Sequence, residues 1–146
     1  MDILTNLLNT IFEVHPLHTP TTHFPIALTG TALLFLLLAL WRKNESLEHA
    51  AFYTITLAAI STLVAGFTGM RDNLVRFDGD APMANIKIFL GITLFVITTV
   101  VAVTRWRKPE VLWTPKTMVL YVSAFAVSFM LATTLGFIGG VILYGF

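Results

Sequence analysis

The chain contains no cysteine. That excludes disulfides, thiolate nucleophiles, thiolate-held iron–sulfur clusters and haem attached through a CxxCH motif. Any metal or haem would have to be held by His, Met, Asp, Glu or backbone groups. Charge is scarce as well, with 9 basic and 8 acidic side chains in 146 residues. It is wholly absent from Phe24–Trp41, Ala50–Met70, Ile88–Thr104 and Thr117–Phe146. A bilayer core about 30 Å thick needs roughly 20 apolar helical residues to cross it. The runs therefore predict an all-α integral membrane four-helix bundle, a single domain over 1–146 with spans at about 24–42, 49–70, 86–105 and 116–144.

The missing intramembrane charge excludes further classes. Pumps, ion-coupled carriers and voltage sensors bury ionisable groups at bilayer depth. Here the midplane offers only hydroxyls such as Ser61, Thr62, Thr98, Thr99 and Ser128. No nucleophile–base pair and no phosphate-cradling glycine loop is present, so an enzyme in its own right is not expected. A net charge of +1 provides no basic patch for nucleic acid. The partners implied are the lipid bilayer and other membrane protein subunits.

The first 14 residues hold no Lys or Arg and no small-residue cleavage site, so a cleaved secretion signal is not expected. Ile3, Leu4, Leu7, Leu8, Ile11 and Phe12 share one helical face, which predicts a short amphipathic helix over about 2–13. It would lie flat in the headgroup region or pack on a partner subunit.

Orientation follows from the loops. The first connection carries Arg42 and Lys43, and the third carries Arg105, Arg107, Lys108 and Lys116. The second has only Arg71, Arg76 and Lys87, and no basic residue precedes the first span. The positive-inside rule then places the first and third loops in the cytoplasm and both termini outside. Trp41, Trp106 and Trp113 flank the same predicted cytoplasmic face as interfacial anchors.

Within lipid, helices associate through close backbone approach rather than hydrophobicity. Ala124, Ser128, Ala132, Gly136 and Gly140 recur every four residues in the last span. Ala58, Thr62, Ala65, Gly66 and Gly69 form a second small-residue set. Both are expected to face other helices, in the bundle or in a neighbouring subunit. Phe125, Phe129 and Phe137 lie off the first line and are expected to meet lipid or fill gaps.

Three of the 4 histidines, His15, His18 and His23, fall in one segment with Pro16, Pro20 and Pro25. The prolines predict a kinked entry that gathers the imidazoles at the outer surface, opposite Asp72, Asp78 and Asp80. Imidazole ligates metals and can be an axial haem ligand. The candidates are His18 and His23 for a cofactor, and His15, His18, His23 and Asp72 for a divalent metal. The plainer reading makes these histidines interfacial hydrogen-bonding groups. His49 starts the second span on the other side, too far away to share a site with them.

The opening His15-Pro16-Leu17-His18, followed by His23-Phe24-Pro25-Ile26-Ala27-Leu28, resembles that of the bacterial membrane family called domain of unknown function 2231. Gly66-Phe67-Thr68-Gly69 with Asp72, and the closing Gly139-Gly140-Val141-Ile142-Leu143-Tyr144-Gly145, are similar to the same family, and the likeness covers essentially the whole chain. Members are sometimes joined to cytochrome c or Rieske domains. The resemblance therefore implies a bacterial inner-membrane protein in an electron-transfer setting, respiratory or photosynthetic, with b-type haem as a possible cofactor. A free-standing metal-binding sensor and a cofactor-free assembly subunit are the alternatives. This sequence departs from the family where the third span begins: many relatives offer a His there, and here the chain reads Ala84-Asn85-Ile86-Lys87. A second haem ligand would then come from His15, His18, Met70, Met83 or another subunit.

Overall fold

The computed structural model describes residues 2–10 and 17–144. It contains five helices among the described residues: α1 Ile3–Asn9, α2 His18–Arg42, α3 Glu45–Phe77, α4 Ala84–Arg107 and α5 Pro115–Tyr144. The last four are long and apolar enough to cross a membrane. Each touches two neighbours, in the ring order α2–α3–α4–α5, and α2 lies against α3 most extensively. Helix α1 contacts none of the four, and Ile3, Leu4 and Leu7 are exposed on it. The rest of the expected amphipathic segment, Ile11 to Glu13, lies outside the described residues.

Helix α2 begins at His18, six residues before the expected start of the span. Pro20 sits in the first turn, where a missing N–H has no helical partner to lose. Pro25 is buried inside the helix, which runs through it. The expected kinks thus become a continuous helix over the described part of the entry segment.

Two residues link α2 to α3. Lys43 ends α2 in the left-handed region at φ 48°, and the Asn44 side chain caps α3 by accepting from the Leu47 N–H at 3.1 Å. A link this short makes the two helices antiparallel neighbours. Their shared face is small and regularly spaced: Ala32, Leu36 and Ala39 on α2, and Ala51, Ile55 and Ala58 on α3, are all fully buried.

Helix α3 has 33 residues, about 50 Å at 1.5 Å per residue. It therefore outruns the apolar core and carries Arg71, Asp72 and Arg76 on its last turns, where a loop was expected. The true connection is Asp78–Met83. Asn73 holds it, donating to the Gly79 carbonyl at 3.1 Å and accepting from the Ala81 N–H at 2.9 Å. Gly79 has φ 87°, which suits a residue without Cβ. At the other end of the bundle the α4–α5 loop folds inward, and Val111 and Leu112 join the core.

On α5, Ser128 and Ala132 are buried and Ala124 is half-buried. A methyl group at Gly136 would stand 2.5 Å from Ile26 Cδ1 of α2, whereas one at Gly140 would meet nothing within 4 Å. The ring of Phe129 fills the space over Gly30 of α2, Phe125 is fully buried, and Phe137 is exposed. Leu34, Leu37, Leu57, Ile60, Ile92 and Met130 point outward as a bilayer-facing surface.

Candidate functional site

The α2–α5 bundle has two polar ends, and they differ. At one end α2 starts, α3 finishes and α4 starts. The His18 N–H has no partner within its own helix, and it donates to Asp72 Oδ2 of α3 at 2.9 Å. A carboxylate at a helix N-terminus also opposes the positive end of the helix dipole. Asp72 is itself buried, and its other oxygen accepts from Arg71 at 2.9 Å. Thr21 and Thr68 hydroxyls meet at 2.7 Å, tying the same two helices one turn deeper.

The His18 side chain crosses to α3. Its Nδ1 lies 2.8 Å from the Ala65 carbonyl oxygen. A carbonyl only accepts, so Nδ1 carries the proton and donates. In the neutral ring Nε2 then keeps its lone pair, and Lys87 Nζ of α4 approaches it at 3.4 Å. Gly69 makes the crossing possible, since a methyl there would fall 2.9 Å from the imidazole ring.

These groups border a cavity of about 410 Å³. His18 and Lys87 stand at its polar end, with Thr22, Thr62 and Asn73 as further polar lining. The other walls are apolar and come from α2, α3, α4 and α5, with Ile26, Phe67, Ile88, Phe95 and Leu135 among them. Gly66 lines it too and meets nothing a methyl would touch.

Of the site residues expected from sequence, His18, Asp72 and Gly69 come together here. His23 does not join them. It is five residues further along one helix, about 140° around the axis at 100° per residue, and it is exposed. His15 lies outside the described residues. Among the described residues no three His, Asp or Glu side chains gather as a metal site.

The opposite end holds a feature the sequence reading missed. Glu48 in the first turn of α3 and Arg105 in the last turn of α4 are both buried, and they pair in a forked arrangement. Arg105 Nε donates to Oε1, and a second nitrogen donates to Oε2 at 2.7 Å. The Arg105 guanidinium also lies 5.5 Å from the centre of the Phe52 ring. His49 donates from Nδ1 to the Glu45 carbonyl at 2.8 Å and places Nε2 3.4 Å from Arg105. The signal was faint: Glu48 sits about half a turn from the exposed Ser46, on the face that Ala51 and Ile55 continue.

A ring of four apolar helices, with a capped helix start and a mainly apolar cavity at one end, defines the class: a helical membrane bundle with a ligand-sized cavity at its His18 end. The chain belongs to the family described as "Predicted membrane protein (DUF2231)", which matches residues 14–146. No curated protein and no solved structure matches it. The three segments that carry the family likeness meet at this end: His18 from the opening, Gly69 and Asp72 from the end of α3, and Gly139 from the close, where an added methyl would lie 3.7 Å from Lys87 Nζ.

Proposed function

We propose that this protein is a small scaffold subunit of a respiratory or photosynthetic electron-transfer assembly in the bacterial cytoplasmic membrane. The His18 end would be extracytoplasmic, with both termini outside. The observation that carries this reading is the convergence of the resemblance-bearing segments on one polar cluster, His18–Asp72–Lys87. The uncovered Gly140 on α5 supports a neighbouring subunit, because a small residue there leaves room for another helix to approach.

A b-type haem iron or a divalent cation would have to bind through Nε2 of His18. The Nδ1–H bond to a carbonyl is the usual arrangement behind a ligating imidazole. The residues nonetheless do not fit either group as they stand. The Lys87 ammonium addresses the same lone pair at 3.4 Å. Both Asp72 oxygens are already engaged. Where the family resemblance implies a His, at the start of the third span, this chain reads Ala84-Asn85-Ile86-Lys87 and brings a cation. In this reading the redox centres belong to partner subunits.

Gentle solubilisation from native membranes tests it. The chain should migrate with haem- or iron–sulfur-bearing partners, and should itself show no Soret band before or after dithionite once separated from them. Migration alone, without redox partners, sinks the electron-transfer setting. A dithionite-sensitive Soret band on the isolated chain, lost in His18→Ala, restores haem to this site. A bound divalent metal lost in the same variant makes the free-standing metal-binding reading the better one.

A further inference from the structure

We propose that Lys87, positioned by His18, is the head site for a long-chain carboxylate whose tail occupies the apolar cavity between the four helices. The inference stands apart from the electron-transfer reading and survives its failure.

The charge balance points to an anion. Lys87 is half-buried, and its ammonium meets no carboxylate among the described residues. Among the described residues its polar partner is Nε2 of His18, an uncharged acceptor in the neutral ring, whose proton sits on Nδ1 and is donated to the Ala65 carbonyl. An ammonium has three N–H donors, so two are left for another acceptor. A half-buried cation without a counter-charge is partly desolvated at a cost that a bound anion offsets. Asp72 does not reach it: that carboxylate caps α2 and pairs with Arg71.

The size and the apolar lining point to a hydrocarbon chain. The cavity of about 410 Å³ falls within the usual range for small-ligand sites, roughly 300–1,000 Å³. Beyond Lys87 and His18 its walls are overwhelmingly apolar, as Ile26, Phe95 and Leu135 illustrate. Gly66 on α3 and Gly91 on α4 both line it, and neither would bring a methyl group within 4 Å of anything. That leaves the wall low between the two helices, a side entrance for a molecule already dissolved in the bilayer. A carboxylate ends in two acceptor oxygens, matching the two spare N–H donors. A phosphodiester lipid carries a further polar headgroup and a second chain.

His18 acts as a positioning residue. Its ring is fixed at Nδ1 by α3 and steadied by the space over Gly69, so Nε2 holds Lys87 at the cavity mouth rather than letting it extend into water.

The test uses the full chain in a neutral detergent, titrated calorimetrically with palmitate, methyl palmitate and lysophosphatidic acid. Palmitate should bind saturably and methyl palmitate should not. Lys87→Met should weaken palmitate at least about tenfold, as loss of a charge partner in a mainly apolar site does, while Lys87→Arg retains most of the affinity. Gly91→Leu, which leaves the charge in place, should weaken palmitate by narrowing the entrance. Equal binding of the methyl ester, or unchanged palmitate affinity in Lys87→Met, overturns the proposal. Tighter binding of lysophosphatidic acid than of palmitate overturns the carboxylate assignment. Should Lys87→Met fail to fold, the comparison of palmitate with its ester on the unaltered chain decides alone.

Discussion

The two ends of the bundle are built from matching parts and reach opposite outcomes. Each takes a cation from α4, Arg105 in its last turn and Lys87 in its first, and turns it toward a neighbouring helix. At the Glu48 end the cation meets a buried carboxylate in a two-pronged pair, with Val111 and Leu112 packed over the core nearby. Charge is matched there and nothing further is called for. At the His18 end the cation meets a neutral imidazole beside a cavity, and the buried carboxylate of Asp72 is spent on capping a helix. An ion pair closes a bundle; an ammonium facing an uncharged partner leaves it ready for an anion.

That contrast can be broken most severely at the closed end. Glu48→Ala strands a buried guanidinium and should cost about 3–5 kcal/mol, read as loss of thermal stability in detergent. Replacing Glu48 and Arg105 together with Leu and Met should recover most of it, because no unpaired charge remains. If the single and double variants melt alike, the pair is not a clasp.

Gly136→Leu comes next. The side chain would enter the space of Ile26, forcing α5 from α2 at about 1–3 kcal/mol. Full retention of thermal stability would show that α5 is not held there.

Gly69→Ala is milder and more local. Its methyl would overlap the imidazole by its 2.9 Å approach, so the His18–Ala65 hydrogen bond should be lost at about 0.5–1.5 kcal/mol. The pH dependence of the His18 ring resonances in NMR should change in that variant, while those of His49 stay put. The smallest loss is expected at Gly66, where an added methyl meets nothing. Gly66→Ala should cost nothing in packing and leave stability unchanged or raised by up to about 1 kcal/mol through helix propensity, read as the melting temperature in detergent.

Much of the architecture was legible because it rests on local physics. A bilayer excludes unpaired charge and unsatisfied backbone, so four uncharged runs could only be spanning helices. The α5 stripe was legible for the same reason: a period of four marks one side of a helix whatever lies opposite. Its partner was not. Gly136 meets Ile26 of α2, and no pattern within α5 encodes that.

The site was only partly legible. His18 and Asp72 were marked by residue type, yet grouping His15, His18 and His23 treated sequence proximity as spatial proximity. Once α2 runs unbroken from His18, its helical rotation carries His23 to another face. Lys87 was read as a departure from the family and not as a partner, since 69 positions separate it from His18. Arg105 was counted with the cytoplasmic loop charges, although it is buried against a residue 57 positions away.

By itself the sequence determined the number of spans, their approximate limits, the reliance on small-residue packing and the residue types able to do chemistry. Only the tertiary structure decided which cation found a carboxylate and which did not. Hydrophobicity and helical period act along one chain segment, whereas pairing across helices depends on the rotation and register of several segments packed together.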